Sequence, residues 1–201
     1  MAPVKVDPNK VRTFKDAEAF YSWLGKNHDK ADELWIKIHK VSSGLKSITP
    51  KEAIDVVLCW GWIDGIRKGL DDKSFLQRYS PRKATSVWSQ INVANVARLI
   101  EEGRMTAHGH APIEAAKADG RWQRAYKSDM KIPADLQKAI NAEPKAKAML
   151  GTLSAQNRFA LAFRVHNMKT EAGRQKKIAG MVAMLKRGET IYPQNTNKKI
   201  K

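Results

Sequence analysis

The chain is predicted to be an α+β protein: an N-terminal unit of about three antiparallel strands with helices, followed by a helical C-terminal half. Three observations predict it. Leu34, Ile36 and Ile38 alternate with Trp35, Lys37 and His39, the period of two expected of a half-buried strand. Two further strand-like runs, Trp62 to Lys68 and Lys73 to Ser80, flank Gly69-Leu70-Asp71-Asp72, whose glycine and aspartates suit a hairpin loop. From Ser89 onward the apolar residues recur at helical spacing almost throughout.

Taken in order, the first ten residues are polar and aperiodic and read as a frayed terminus. A helix follows, with Asp16 as N-cap, Ala19, Phe20, Trp23 and Leu24 on one face, and an end near Asn27-His28. After the strand at 34–39, Thr49, Pro50 and Glu52 form a capping box with a first-turn proline; the apolar run Ala53 to Cys59 predicts a buried helix that Gly61 ends. The hairpin comes next. Val93, Val96, Ala97 and Ile100 mark a helix closed by Gly103, and Pro112 to Asp119 a second closed by Gly120. Pro133 and Pro144 read as first-turn prolines of short helices. Phe159, Ala162, Phe163 and His166 define a seventh helix, and Ile178, Met181, Val182 and Leu185 an eighth that stops at Gly188. The expected organisation is an α+β domain over 11–125, a basic helical domain over 126–193 and a disordered tail over 194–201.

Hydrophobic residues at 42% and charged residues at 28% are near globular averages, so the chain is expected to fold. With no apolar leader after Met1 and no apolar run of membrane-spanning length, a cytoplasmic location is expected. The single cysteine, Cys59, excludes an intramolecular disulfide or a multi-thiol metal site and reads as a small core residue. Thirty-seven Lys/Arg against twenty acids give a net charge of +17, which favours polyanions or acidic protein surfaces over cationic partners. The excess is uneven: residues 1–88 carry +5 and residues 89–201 carry +12.

One region stands apart. Trp60 to Gly65, Gln77 to Lys83 and Ser86 to Asn92 gather three tryptophans and several basic residues. A hairpin pairing Lys68 with Lys73 sets Trp62 opposite Tyr79 and Asp64 opposite Gln77. Trp62, Asp64, Arg67, Gln77, Arg78, Arg82, Lys83, Trp88 and Asn92 are therefore the candidate ligand-binding residues. Aromatic planes would stack a ligand, Arg78, Arg82 and Lys83 would hold an anionic group, and Asp64 and Gln77 would orient it. The same residues also fit a structural reading, with Asp64 paired to Arg78 or Arg67 and the tryptophans in the core. One carboxylate and no histidine in the cluster argue against acid–base catalysis.

These motifs carry a resemblance. Cys59 to Gly65, Leu76 to Lys83 and Trp88 to Asn92, with Glu114 to Trp122, Ser154 to Arg158 and Met184 to Glu189, resemble the signatures of the YdeI/OmpD-associated family, also labelled bacteriocin-protection proteins. The resemblance spans residues 14 to 193. It implies no catalytic residue and no cofactor. Its name implies antimicrobial-peptide protection and porin association. A chain of +17 repels cationic peptides, and porin association is not expected without an export signal.

Residues 154–201 hold eleven Lys/Arg against two acids, Glu171 and Glu189. Arg174, Lys176, Lys177, Lys186 and Arg187 flank an apolar helix face there and are the candidate nucleic-acid contacts, non-specific and salt-dependent; an ordinary surface helix is the competing reading. His108-Gly109-His110 reads as a solvated loop, and His166 as a satisfied core or interface histidine. No phosphate-binding glycine loop or nucleophile elbow is present, so no cofactor and no metal are expected. Three functions follow: a cytoplasmic, non-enzymatic binding or stress-tolerance protein whose ligand is a small anion or an acidic protein surface, a nucleic-acid-associated basic protein, or an enzyme acting on a small anionic substrate.

Overall fold

The computed structural model describes residues 4–194, and the chain divides into two compact units, Met1–Ala125 and Tyr126–Lys201. The architecture is α+β as predicted. Unit 1 contains strands β1 (Val11–Arg12), β2 (Leu34–His39), β3 (Trp62–Gly69) and β4 (Ser74–Pro81) in the order β1-β2-β4-β3. β1 runs parallel to β2, and the other two pairings are antiparallel. This fourth strand falls just after the stretch read as frayed: a 3₁₀ turn at Pro8–Lys10, capped by Asp7, leads into it, and Lys10 Nζ reaches Asp32 at 2.7 Å. Two residues are too short for periodicity to reveal. β2 is thus interior, and Trp35, on the face expected to be wetted, is fully buried.

Helices α1 (Ala17–Asn27) and α2 (Pro50–Cys59) cover one face of the sheet. Phe20 and Leu24 of α1, Leu34, Ile36 and Ile38 of β2, Ala53, Val56 and Val57 of α2, and Trp62 and Tyr79 form one core. The capping box at Thr49 and Glu52 is formed as expected. The opposite side of α2, Leu58 and Cys59, packs against α3 (Gln90–Glu101) and α4 (Ala107–Ala118) through Val96, Leu99, Ile113 and Ala116. Covered on both sides, α2 can be apolar nearly throughout. Arg98 of α3 ties to Asp55 of α2 at 2.7 Å.

α4 starts five residues before Pro112, because the Thr106 hydroxyl caps it by accepting from the Gly109 amide at 3.1 Å. Pro112 lies inside the helix and cannot donate to the carbonyl four residues back, that of His108. That carbonyl faces Gly61, where a Cβ would stand 2.5 Å from it; Gly61 also has φ of +72°. Glycine is required there on both counts.

Unit 2 is helical: α5 (Ala134–Asn141), α6 (Pro144–Thr152), α7 (Ala155–His166) and α8 (Glu171–Lys186). Its core joins Leu136, Ile140, Leu150, Leu161, Val165, Ile178, Met181 and Leu185. α7 buries Leu161 and Val165 beside Ala162 of the predicted stripe; Phe159 and Phe163 are half-buried against Tyr126, the second edge-on, and His166 is exposed. Gln194 is held and not part of a loose tail. Buried Asn157 donates to its Oε1 at 2.8 Å, and its Nε2 donates to the Thr152 carbonyl. The rest of that tail, 195–201, lies outside the described residues.

Candidate functional site

The β3–β4 hairpin pairs in a different register from the one predicted. Trp62 lies opposite Pro81 and Asp64 opposite Tyr79; after an irregularity at Asp64 to Arg67 the pairing shifts, and Arg67 lies opposite Gln77. A bulge places two residues against one and is invisible to an alternation count. Its geometry is held by Gln77, which is 4% exposed: Nε2 donates to the Gly65 carbonyl at 2.9 Å, and Oε1 accepts from Arg67 Nε at 3.0 Å. The Arg67 guanidinium also lies 4.3 Å from the Phe75 ring centroid. Gln77 and Arg67 therefore hold the hairpin's own geometry.

The remaining candidates separate. Trp62 is core, its indole donating to the His28 carbonyl at 3.2 Å and its ring meeting Trp23 edge-on. Arg78 points to the other face of the sheet and pairs with Glu33 at 2.6 Å. Asn92 contributes its amide to the Ser89 cap. Asp64 is half-buried on the Tyr79 side; burial raises its carboxyl pKa above the usual carboxylate range, against the opposing pull of Arg82 and Arg67.

Arg82, Lys83 and Trp88 do come together. With Ala84, Ser86, Pro112, Ala115 and Arg121 they line a groove of about 240 Å³ in unit 1. Its rim is a tight turn closed from both ends: Ser86 N donates to the Lys83 carbonyl at 2.9 Å, and Lys83 N donates to Ser86 Oγ at 3.0 Å. Beneath it, the Arg82 guanidinium lies over buried Trp88, its Cζ 3.5 Å from the ring centroid, and Nη1 donates to the Val87 carbonyl. Trp88 is backed edge-on by Trp122 at 4.8 Å.

Arg121, missed in the sequence, is the third cation. Its Nη1 donates to the Ser86 carbonyl at 2.7 Å, and its Nε is anchored by Asp119 at 2.7 Å. It lies in the loop after α4, far from the hairpin in the chain. The only signal for it was the Asp119-Gly120-Arg121-Trp122 stretch already noted as part of a signature. The groove is thus lined by two fixed guanidiniums, the exposed Lys83 ammonium and the Ser86 hydroxyl, with no carboxylate among its lining residues. Lys83, Arg121 and Ser86 are the groups that can offer hydrogen bonds to an anion there, while Arg82, whose Nε and Nη2 are buried, adds positive charge beneath them.

In unit 2 the five candidate nucleic-acid contacts also separate. Arg174 grips Asp135 through Nε at 2.6 Å and Nη2 at 2.9 Å and donates to the Val165 carbonyl. Lys186 pairs with Glu143 at 3.0 Å, and Arg187 with Glu189 at 2.8 Å. Only Lys176 and Lys177 carry no ion pair among the described residues.

His108 and His110 lie in the first turn of α4 and not in a loop, and the His108 ring sits 3.9 Å from that of His28. Among the described residues no group of three or more His, Cys, Asp or Glu is placed to hold a metal ion, and no helix is long and apolar enough to cross a membrane. Cys59 is fully buried, and burial pushes its thiol up to about 11.

No curated protein and no solved structure matches the chain. Two family models do. One described as a domain of unknown function (DUF8412) matches residues 12–112, and one described as bacteriocin-protection, YdeI or OmpD-associated matches residues 129–188. The signature stretches from Cys59 to Asn92 fall in the first match, and Ser154 to Arg158 in the second. The chain therefore belongs to the DUF8412 family through its N-terminal half and carries a YdeI/OmpD-associated segment in its C-terminal helices.

Proposed function

We propose that the protein is a non-enzymatic binding protein of the cytoplasm, serving stress tolerance, whose unit 1 captures a small anion such as a phosphate or carboxylate group. The observation that carries this reading is the convergence of Arg82, Lys83 and Arg121 with Ser86 on one groove above Trp88. The bonds from Arg82 to Val87 and from Arg121 to Ser86 and Asp119 hold both guanidiniums before a ligand arrives, which lowers the ordering cost of binding. The lining offers charge and hydrogen-bond donors and no general base, so it supports binding over acid–base turnover. The single, buried cysteine agrees with a reducing compartment. The tolerance role rests on the bacteriocin-protection description of the C-terminal match.

The test is thermal unfolding with a panel of anions: inorganic phosphate, pyrophosphate, citrate and chloride at matched ionic strength. Phosphate or a carboxylate is expected to raise the melting temperature of the wild-type protein, and Lys83→Ala and Arg121→Ala to reduce the effect. Equal stabilisation by every anion, or an unchanged effect in both variants, would show that the groove is not the site.

A further inference from the structure

We propose that unit 2 has a second, independent binding site: a groove along α8 that docks an acidic amphipathic helix of a partner protein. The groove, of about 380 Å³, is lined by Arg164, Lys176, Lys177, Met181, Met184 and Ile191, together with Gly173 and Gly180. Its length follows from α8: Gly173 to Met184 covers twelve residues, or roughly 17 Å at the helical rise, about three turns.

Charge selects the partner. Arg174, Lys186 and Arg187 are each matched by a carboxylate, whereas Arg164, Lys176 and Lys177 carry no ion pair among the described residues, and no carboxylate lines the groove. Arg164, Lys176 and Lys177 thus ring one apolar floor. A partner that satisfies both is acidic at its edges and apolar along one face, the pattern of a helix presenting anchors at i, i+3, i+4 and i+7. The floor suits that role. Methionines adapt to differing anchors, and glycine in place of larger residues leaves the cleft open: a Cβ at Gly180 would meet nothing within 4 Å. A nucleic acid is the poorer match, because no aromatic ring lines the groove to stack a base and an apolar floor offers nothing to sugar or phosphate. Unit 2 cations therefore serve acidic protein in preference to DNA or RNA. This site shares no residue with the anion groove of unit 1.

The experiment measures fluorescence anisotropy on the full chain with a labelled peptide carrying Leu at i, i+3, i+4 and i+7 and Glu elsewhere. A peptide with Lys for each Glu, and a single-stranded thymidine oligonucleotide, complete the set. The acidic peptide is expected to bind, and the lysine peptide not to. Combined Lys176→Glu and Lys177→Glu should weaken it roughly tenfold or more, since reversed charge sets like against like. Gly180→Leu should weaken it too, by filling the cleft while favouring the helix, so loss of fold does not confound the result. Arg187→Ala, away from the groove, should leave it unchanged. No binding of the acidic peptide, equal binding by the Glu variants, or oligonucleotide binding that is the tighter and is abolished by the same variants would overturn the proposal.

Discussion

Replacing Gly109 with alanine tests how α4, which brings Pro112 and Ala115 to the anion groove, is seated on α2. A Cβ at Gly109 would stand 2.3 Å from the carbonyl oxygen of Cys59 and 2.8 Å from its carbon. That carbonyl cannot swing away, because it accepts from the Thr106 hydroxyl at 2.6 Å and from the Thr106 amide at 3.2 Å. Two effects oppose each other. Helix propensity favours alanine over glycine by about 1 kcal/mol, and forcing a methyl into a packed backbone contact costs about 1–3 kcal/mol. With the contact made to fixed backbone, the upper part of that range applies, and a net loss of about 1–2 kcal/mol is expected. All six tryptophans lie within residues 1–125, so urea unfolding followed by tryptophan fluorescence reports unit 1 alone. The Gly109→Ala protein should unfold at lower urea, and its phosphate affinity should fall as α4 shifts. A variant about 1 kcal/mol more stable than wild type, as propensity alone dictates, would refute the close seating of α4.

Three further outcomes follow from individual contacts. Gly180→Ala should have the opposite sign, raising the stability of unit 2 by up to about 1 kcal/mol in circular-dichroism melts, because nothing stands near the added methyl. Asp64 is a carboxyl whose folded pKa is raised by burial, so the folded state loses stability as pH rises through that pKa; Asp64→Asn should be the more stable at neutral pH, with the advantage shrinking on acidification. Asp135 is the reverse case: the Arg174 hydrogen bonds hold its pKa low, so its contribution is present above the unfolded value and lost as pH falls through the folded one. Arg174→Ala should therefore destabilise unit 2 by about 1–2 kcal/mol at neutral pH and by less in acid, read from melts across pH.

What could be read in advance was local. Thr49, Pro50 and Glu52 announce the start of α2 because a capping box is written in adjacent residues. β1 escaped because its pairing with β2 joins residues more than twenty apart and it is too short for a pattern. The hairpin register escaped because the irregularity between Asp64 and Arg67 breaks the alternation on which a register is counted. Pro112 was misplaced because proline commonly opens helices, whereas here the Thr106 cap outweighs it. In the site, Arg82, Lys83 and Trp88 were legible as a cluster, but Arg121 meets them only through the turn after α4. Arg78 and Trp62 were legible as residue types and misleading as site members, because strand face and burial decide where each points.

The anion groove is tested most directly by the indole N–H resonances of the six tryptophans during a titration with inorganic phosphate. Trp88, under the Arg82 guanidinium, and Trp122, against Trp88, should shift in a saturable way, while Trp23, Trp35, Trp60 and Trp62 stay in place. The shifts should vanish in Arg121→Ala. Resonances that all remain still, or that all drift together in proportion to ionic strength, would contradict capture of an anion at this groove.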